Sequence, residues 1–237
     1  MKINHRMLNT VTALSAAAVL FGAGTPAPRA DETRTVEMWA GHQVVFGVTN
    51  VPVLGKRETR ADSYVLAKVT KENGKITFEQ RACRVAFKKV VDAQVRIPEK
   101  ALLELPAATF SFTPSGEILK AVPWQVGWGR EDVDHDGKPG LTVDVDSSIC
   151  GGKLYIASDT RSAAHAKLID DGEGMMGKIS VRVRQKVLDS DSACLKTFSE
   201  NSDETQNGGF IYRRVQDDAS CRSLLQGPWP IEVTIKR

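Results

Sequence analysis

The sequence predicts an all-β fold: a single antiparallel β-barrel or two-sheet sandwich carrying one or two short helices. Three observations lead there. Apolar and polar residues alternate with period two from Thr35 onward, and turn-forming residues recur about every ten positions. The helical signals are brief, too short to form a layer over a parallel sheet.

The elements follow in order. Thr35–Ala40 and Gln43–Val48 alternate as half-buried strands. Ser63–Val69 and Ile76–Phe87 form the clearest hairpin, because Asn73-Gly74 between them accepts the positive φ of a type I′ turn. Gln94–Ile97, Ala107–Thr113 and Glu117–Val122 come next, the last two joined by the turn residues Pro114-Ser115-Gly116. Leu141–Val145, Lys153–Ala157, Lys178–Val187, Phe210–Val215 and Ile231–Ile235 complete the strands. One helix is expected over Glu99–Leu105, with Pro98 at its first position and Pro106 ending it. A second short helix, capped by Asp218, takes in Cys221–Leu225. Ser190–Gly209 is the least apolar segment and reads as a surface excursion.

Residues 1–30 have the three parts of an export signal: basic Lys2, His5 and Arg6, the apolar run Ala13–Phe21, and small residues with prolines up to Ala30. That run is shorter than the roughly 20 residues of a membrane-spanning helix. The expected mature chain, 31–237, is one β domain without a transmembrane anchor, placed in the periplasm or outside the cell. Its loss of Lys2, Arg6 and Arg29 and of no acid leaves 29 basic against 29 acidic residues, so charge gives no support to nucleic acid binding. Cys83, Cys150, Cys194 and Cys221 all lie in this part, and an even count in an exported chain favours disulfides. Four cysteines allow three pairings; Cys83 with Cys150 and Cys194 with Cys221 is the expectation, the second because it closes the polar loop. The C-x-x-C spacing of a zinc site is absent.

Chemistry concentrates in Asp132–Asp146, read DVDHDGKPGLTVDVD. Asp132, Asp134 and Asp136 at alternate positions, followed by Gly137, bring three carboxylates toward one point, which suits a hard cation with oxygen ligands and calcium first. Lys138 would add its backbone carbonyl, and Asp144 a further carboxylate; Asp146, Asp171 and Glu173 are other acids available to complete the set. His135 is expected to point away. The D-x-D-x-D-G loop resembles those of integrin-propeller repeats, thrombospondin type 3 repeats and EF-hand-like loops. That resemblance spans about a dozen residues and implies a calcium loop without implying a fold. The alternative is a solvated acidic turn that holds no ion.

Other motifs argue for less. Gly172–Gly177 spells G-x-G-x-x-G, but a strand follows where a dinucleotide site needs a helix. Lys178, Arg182, Arg184 and Lys186 share one strand face, which reads as a solvated exterior. Trp124 and Trp128 flank Gly127 and read as a core or rim pair, although a carbohydrate or lipid platform would use the same residues. Neither G-x-S-x-G nor H-E-x-x-H occurs, and His42, His135 and His165 show no local triad partner. The leading expectation is therefore a non-enzymatic, exported, disulfide-bonded β domain with one structural calcium, serving binding or an envelope-associated role. A lipocalin-like carrier of a small apolar ligand, lined by Phe78, Phe110 and Phe112, is the alternative. A calcium-assisted hydrolase of an extracellular polymer is the third reading.

Overall fold

Among the described residues, eleven strands realise the period-two pattern, and every pairing between them is antiparallel. The computed structural model describes residues 34–51 and 55–233; the signal-like residues 1–30 and the end of the expected last strand lie outside that range. The strands are β1 (Thr35–Val51), β2 (Gly55–Glu72), β3 (Lys75–Phe87), β4 (Gln94–Arg96), β5 (Ala108–Ser115), β6 (Ile118–Ala121), β7 (Trp124–Trp128), β8 (Leu141–Asp146), β9 (Gly152–Ile169), β10 (Gly174–Ser190) and β11 (Ser202–Arg214). Three short helices accompany them: α1 (Glu99–Glu104), α2 (Ala193–Phe198) and α3 (Cys221–Leu225).

Hydrogen bonding runs from β1 through β2, β3, β5, β6, β9, β10 and β11, and β11 pairs back onto β1. Eight strands thus close into a barrel-like ring, which removes sheet edges from most of its length. The β2–β3 turn has φ of 51° at Asn73 and 70° at Gly74, with Glu72 opposite Lys75, as the Asn-Gly pair requires. β9 is longer than the ring needs. Its first residues, Gly152–Ile156, carry β8, its middle, Ser158–Ser162, carries β7, and only Leu119 and Lys120 of β6 pair near its end.

The ring is filled by side chains. Trp39, Phe78, Phe112, Phe210 and Tyr212 are all buried to within 2% exposure and belong to one cluster. Phe78 lies at its centre, stacked on Phe110 with centroids 5.2 Å apart and edge-on to Trp39 and Phe112. Removing such a buried ring costs about 3–5 kcal/mol. Gln43 donates to the Tyr212 hydroxyl at 2.6 Å, and that hydroxyl donates to Gln80, so the polar groups among the rings are paired. Gly41 lets β1 pass unbroken where two strands were expected: the Tyr212 ring lies against it and would collide with any side chain.

A second cluster, Ala40, Leu66, Cys83, Cys221, Trp229 and Ile231, joins the segment after β11 to β1, β2 and β3. Ile231–Val233 is not a strand, contrary to expectation. Its Ile231 is buried here, and the Val233 amide donates to His42 Nδ1 at 2.9 Å instead of joining a ladder. A third cluster, Ala101, Leu141, Val143 and Ile156, packs beside Trp128 and Val133.

The disulfides correct the expected pairing: Cys83 joins Cys221 and Cys150 joins Cys194. α3 places Cys221 over β3 with Cα atoms 5.1 Å apart, whereas Cys150 and Cys194 meet because β9 and β10 pair and their ends lie side by side. The expected surface excursion is also ordered, into α2 and the first half of β11, with Ser192 capping α2. α3 is capped by Ser220 in a reciprocal pair with Ser223, not by Asp218.

Candidate metal centre

β7 ends at Trp128, and the loop that leads to β8 is closed at its neck by backbone bonds. The Gly140 amide donates to the Glu131 carbonyl at 3.0 Å, and the Val133 amide donates to the Gly140 carbonyl at 3.2 Å. Gly140 has φ of 77°, and a side chain there would run into the Ile156 carbonyl, so both conformation and space call for glycine. Gly137, at φ of 83°, makes the sharp turn that its place after three aspartates implied.

Inside this neck the three carboxylates converge, with one oxygen from each of Asp132, Asp134 and Asp136 lying within 4.8 Å of the others. Backbone amides aim them. Asp132 accepts from the amides of Asp136 at 3.1 Å and Gly137 at 2.8 Å; Asp136 accepts from that of Lys138 at 2.9 Å. Thr142 completes the arrangement from β8: its amide donates to Asp134 Oδ2 at 3.0 Å and its hydroxyl to Asp136 Oδ2 at 2.6 Å. Nothing in the spacing of the aspartates marked Thr142. Its burial, at 4% exposure between the core residues Leu141 and Val143, is explained by these two bonds.

Asp134 is the singular member. It is 5% exposed, and its Oδ1 is buried with no hydrogen-bond partner. Burial pushes its carboxyl above the usual range, and the charges of Asp136 and Asp132 push the same way, against the Thr142 amide. Asp132 moves in the opposite direction, held down chiefly by the Gly137 amide. One buried acceptor without a donor, on a carboxylate gathered with two others, is an arrangement a bound cation resolves.

Of the other expected ligands, Lys138 sits at the seventh position of the loop, where a backbone carbonyl would serve, and its ammonium lies 5.8 Å from the centroid of the Tyr155 ring. Asp144 is not one of the convergent group; it stands opposite Lys153 of β9 and Arg96 of β4. Asp171 and Glu173 cannot complete the site. They lie at the β9–β10 turn, past Ile169, whereas the loop packs on Ile156, and thirteen strand residues separate the two by roughly 40 Å. His135 is exposed, as expected, with φ of 54°.

The remaining sequence motifs resolve into structure. The G-x-G-x-x-G residues form that turn and open β10, with Glu173 and Arg214 3.4 Å apart. Arg182 forks onto Asp203 through two bonds of 2.8 Å on the exposed face of β10. Trp124 stacks on Phe110 in the core, and Trp128 stays at the rim, its Nε1 donating to the Ile156 carbonyl at 2.9 Å. His42 does have an acid partner that spacing could not reveal, Asp62 at 3.2 Å across the β1–β2 pair. With its other nitrogen taken by Val233, the imidazole is fully engaged.

Fold and loop together define a disulfide-bonded β-barrel domain with a three-carboxylate centre fit to hold a metal ion. No protein-family model matches the chain, and no curated protein sequence matches it. Among the described residues, no helix is long and apolar enough to cross a membrane.

Proposed function

We propose that this chain is an exported β domain whose β7–β8 loop is ordered by one structural calcium ion, and that it serves binding or an envelope-associated role, not catalysis. The observation that carries the reading is the buried, unpartnered Oδ1 of Asp134, on a carboxylate that converges with those of Asp132 and Asp136. An all-oxygen set on a loop with freedom in ligand number suits calcium better than magnesium, which demands near-ideal octahedral geometry. Two disulfides support an oxidising compartment. Asp132, Asp134, Asp136 and the Lys138 carbonyl would hold the ion, with water filling the rest. The ion supplies charge neutralisation at a turn, which fixes the neck against β8. The interlocked rings of Phe78, Phe110 and Phe112 weigh against a lipocalin-like ligand chamber.

Calorimetric titration of calcium and magnesium into the chelator-treated protein tests this. Calcium binding of unit stoichiometry, weaker or absent for magnesium and lost in Asp134→Ala, is the expected result. Equal heats for wild type and variant would dismiss the assignment.

A further inference from the structure

Two shallow concavities adjoin on the outer side of β7 and β9, with volumes of about 290 and 530 Å³, and Trp128, Ser158 and Asp159 line both. The first continues over Gln185, Lys186 and Asn201, and the second ends at Glu131, beside the neck of the acidic loop. Gly127 is fixed between them. A side chain there would meet the Ser158 carbonyl at 2.7 Å, so β7 lies flush on β9 and leaves the floor without a side chain opposite Asp159.

The chemistry of this groove is specific. Its single large ring, Trp128, is held in one orientation by its bond to Ile156. Asp159, its side chain 33% exposed, has unspent acceptor capacity at Oδ2, which stands 3.9 Å from the Arg161 Nε, beyond hydrogen-bond range, while Oδ1 is buried beneath it without a partner. Gln185 and Asn201 add amides able both to donate and to accept. Charges of both signs are present, Asp159 and Glu131 against Lys186 and Arg184, so a polyanion or a polycation would each meet like charge. A neutral ligand rich in hydroxyls meets none. The openness of the trough suits a chain that lies along it more than a small molecule enclosed by it.

We propose that the groove is a binding site for a neutral oligosaccharide, one sugar ring lying against Trp128 and its hydroxyls donating to Asp159 and exchanging bonds with Gln185 and Asn201. The proposal stands on β7, β9 and β10 and does not require an ion in the neighbouring loop, so its failure and that of the calcium reading are separable. The test titrates maltohexaose, cellohexaose and chitohexaose, in separate runs, into the full chain in calcium-containing buffer, followed by tryptophan fluorescence and calorimetry. Saturable binding of at least one in the millimolar range is expected. Loss of one charged hydrogen bond predicts roughly tenfold weaker binding in Asp159→Ala. Gln185→Ala, at an exposed position, weakens binding without altering the melting temperature and covers the case in which the first variant is unstable. No saturable response to any of the three sugars, or a response unchanged in both variants, would overturn the proposal.

Discussion

Exchanging Asp134 for Asn separates the two roles assigned to that carboxylate. The amide oxygen can still accept the Thr142 amide, so the fold of the neck is kept, while the buried negative charge is removed. Two unit charges no more than 4.8 Å apart repel by at least about 3.5 kcal/mol at an effective dielectric of 20. Asp136 is exposed, and water screens it, which reduces the relief to about 1 kcal/mol. Without metal, Asp134→Asn is therefore expected to melt slightly above wild type. With calcium the order reverses. A site of the extracellular kind, at a hundredfold excess of ion over its dissociation constant, gains about 2.7 kcal/mol, or about 5–10 °C for a domain of this size. The variant forfeits most of that. Differential scanning calorimetry in chelator and in calcium, at one pH and ionic strength, reads both arms. A variant that differs from wild type by the same margin in both buffers would refute the account, because calcium would then add nothing through the Asp134 charge.

The disulfides give a second prediction. Cys83–Cys221 spans 138 residues and Cys150–Cys194 spans 44. The chain-entropy difference favours the longer bridge by about 1 kcal/mol. Urea unfolding of the two double-alanine variants should rank them in that order, and the reverse ranking contradicts the entropic argument. His42 supplies the third. Burial holds its imidazole below the usual value of 6.5, with Arg60 acting the same way and Asp62 and Glu232 opposing. The unfolded chain thus takes up the proton first, so this stabilisation is complete above about pH 6.5 and is lost as pH falls through the folded-state value. Urea midpoints between pH 8 and 5 should decline more steeply for wild type than for His42→Gln, and parallel declines would remove His42 as the cause.

Local signals were legible and tertiary ones were not. The Asn73-Gly74 turn, the acidic triplet with its glycine and the alternation in β3 are all settled within a few residues, and the structure has them where the sequence places them. The first half of β11 escaped for a physical reason. Its burial alternates through Ser202, Glu204 and Gln206, but the less exposed positions are polar, so the usual apolar mark of a strand is missing. The far half of β9 hides similarly, since Ser158, Ser162, Ala164 and Ala166 are buried yet small. At the candidate metal centre, the acids of the loop were readable, whereas the part played by Thr142 depends on how β8 sits between β4 and β9. Cysteine pairing likewise depended on which distant segments the ring makes neighbours.

The pairing of β1 with β11 has a consequence for biogenesis. Trp39 finds its partner in Arg214, so the first strand of the domain waits for almost the whole polypeptide before its outer hydrogen bonds are satisfied. Such nonlocal closure makes for slow maturation. In the interval β1 is a bare edge open to intermolecular pairing, and a chaperone that shields the nascent amino-terminal hairpin would protect the molecule at its most vulnerable moment.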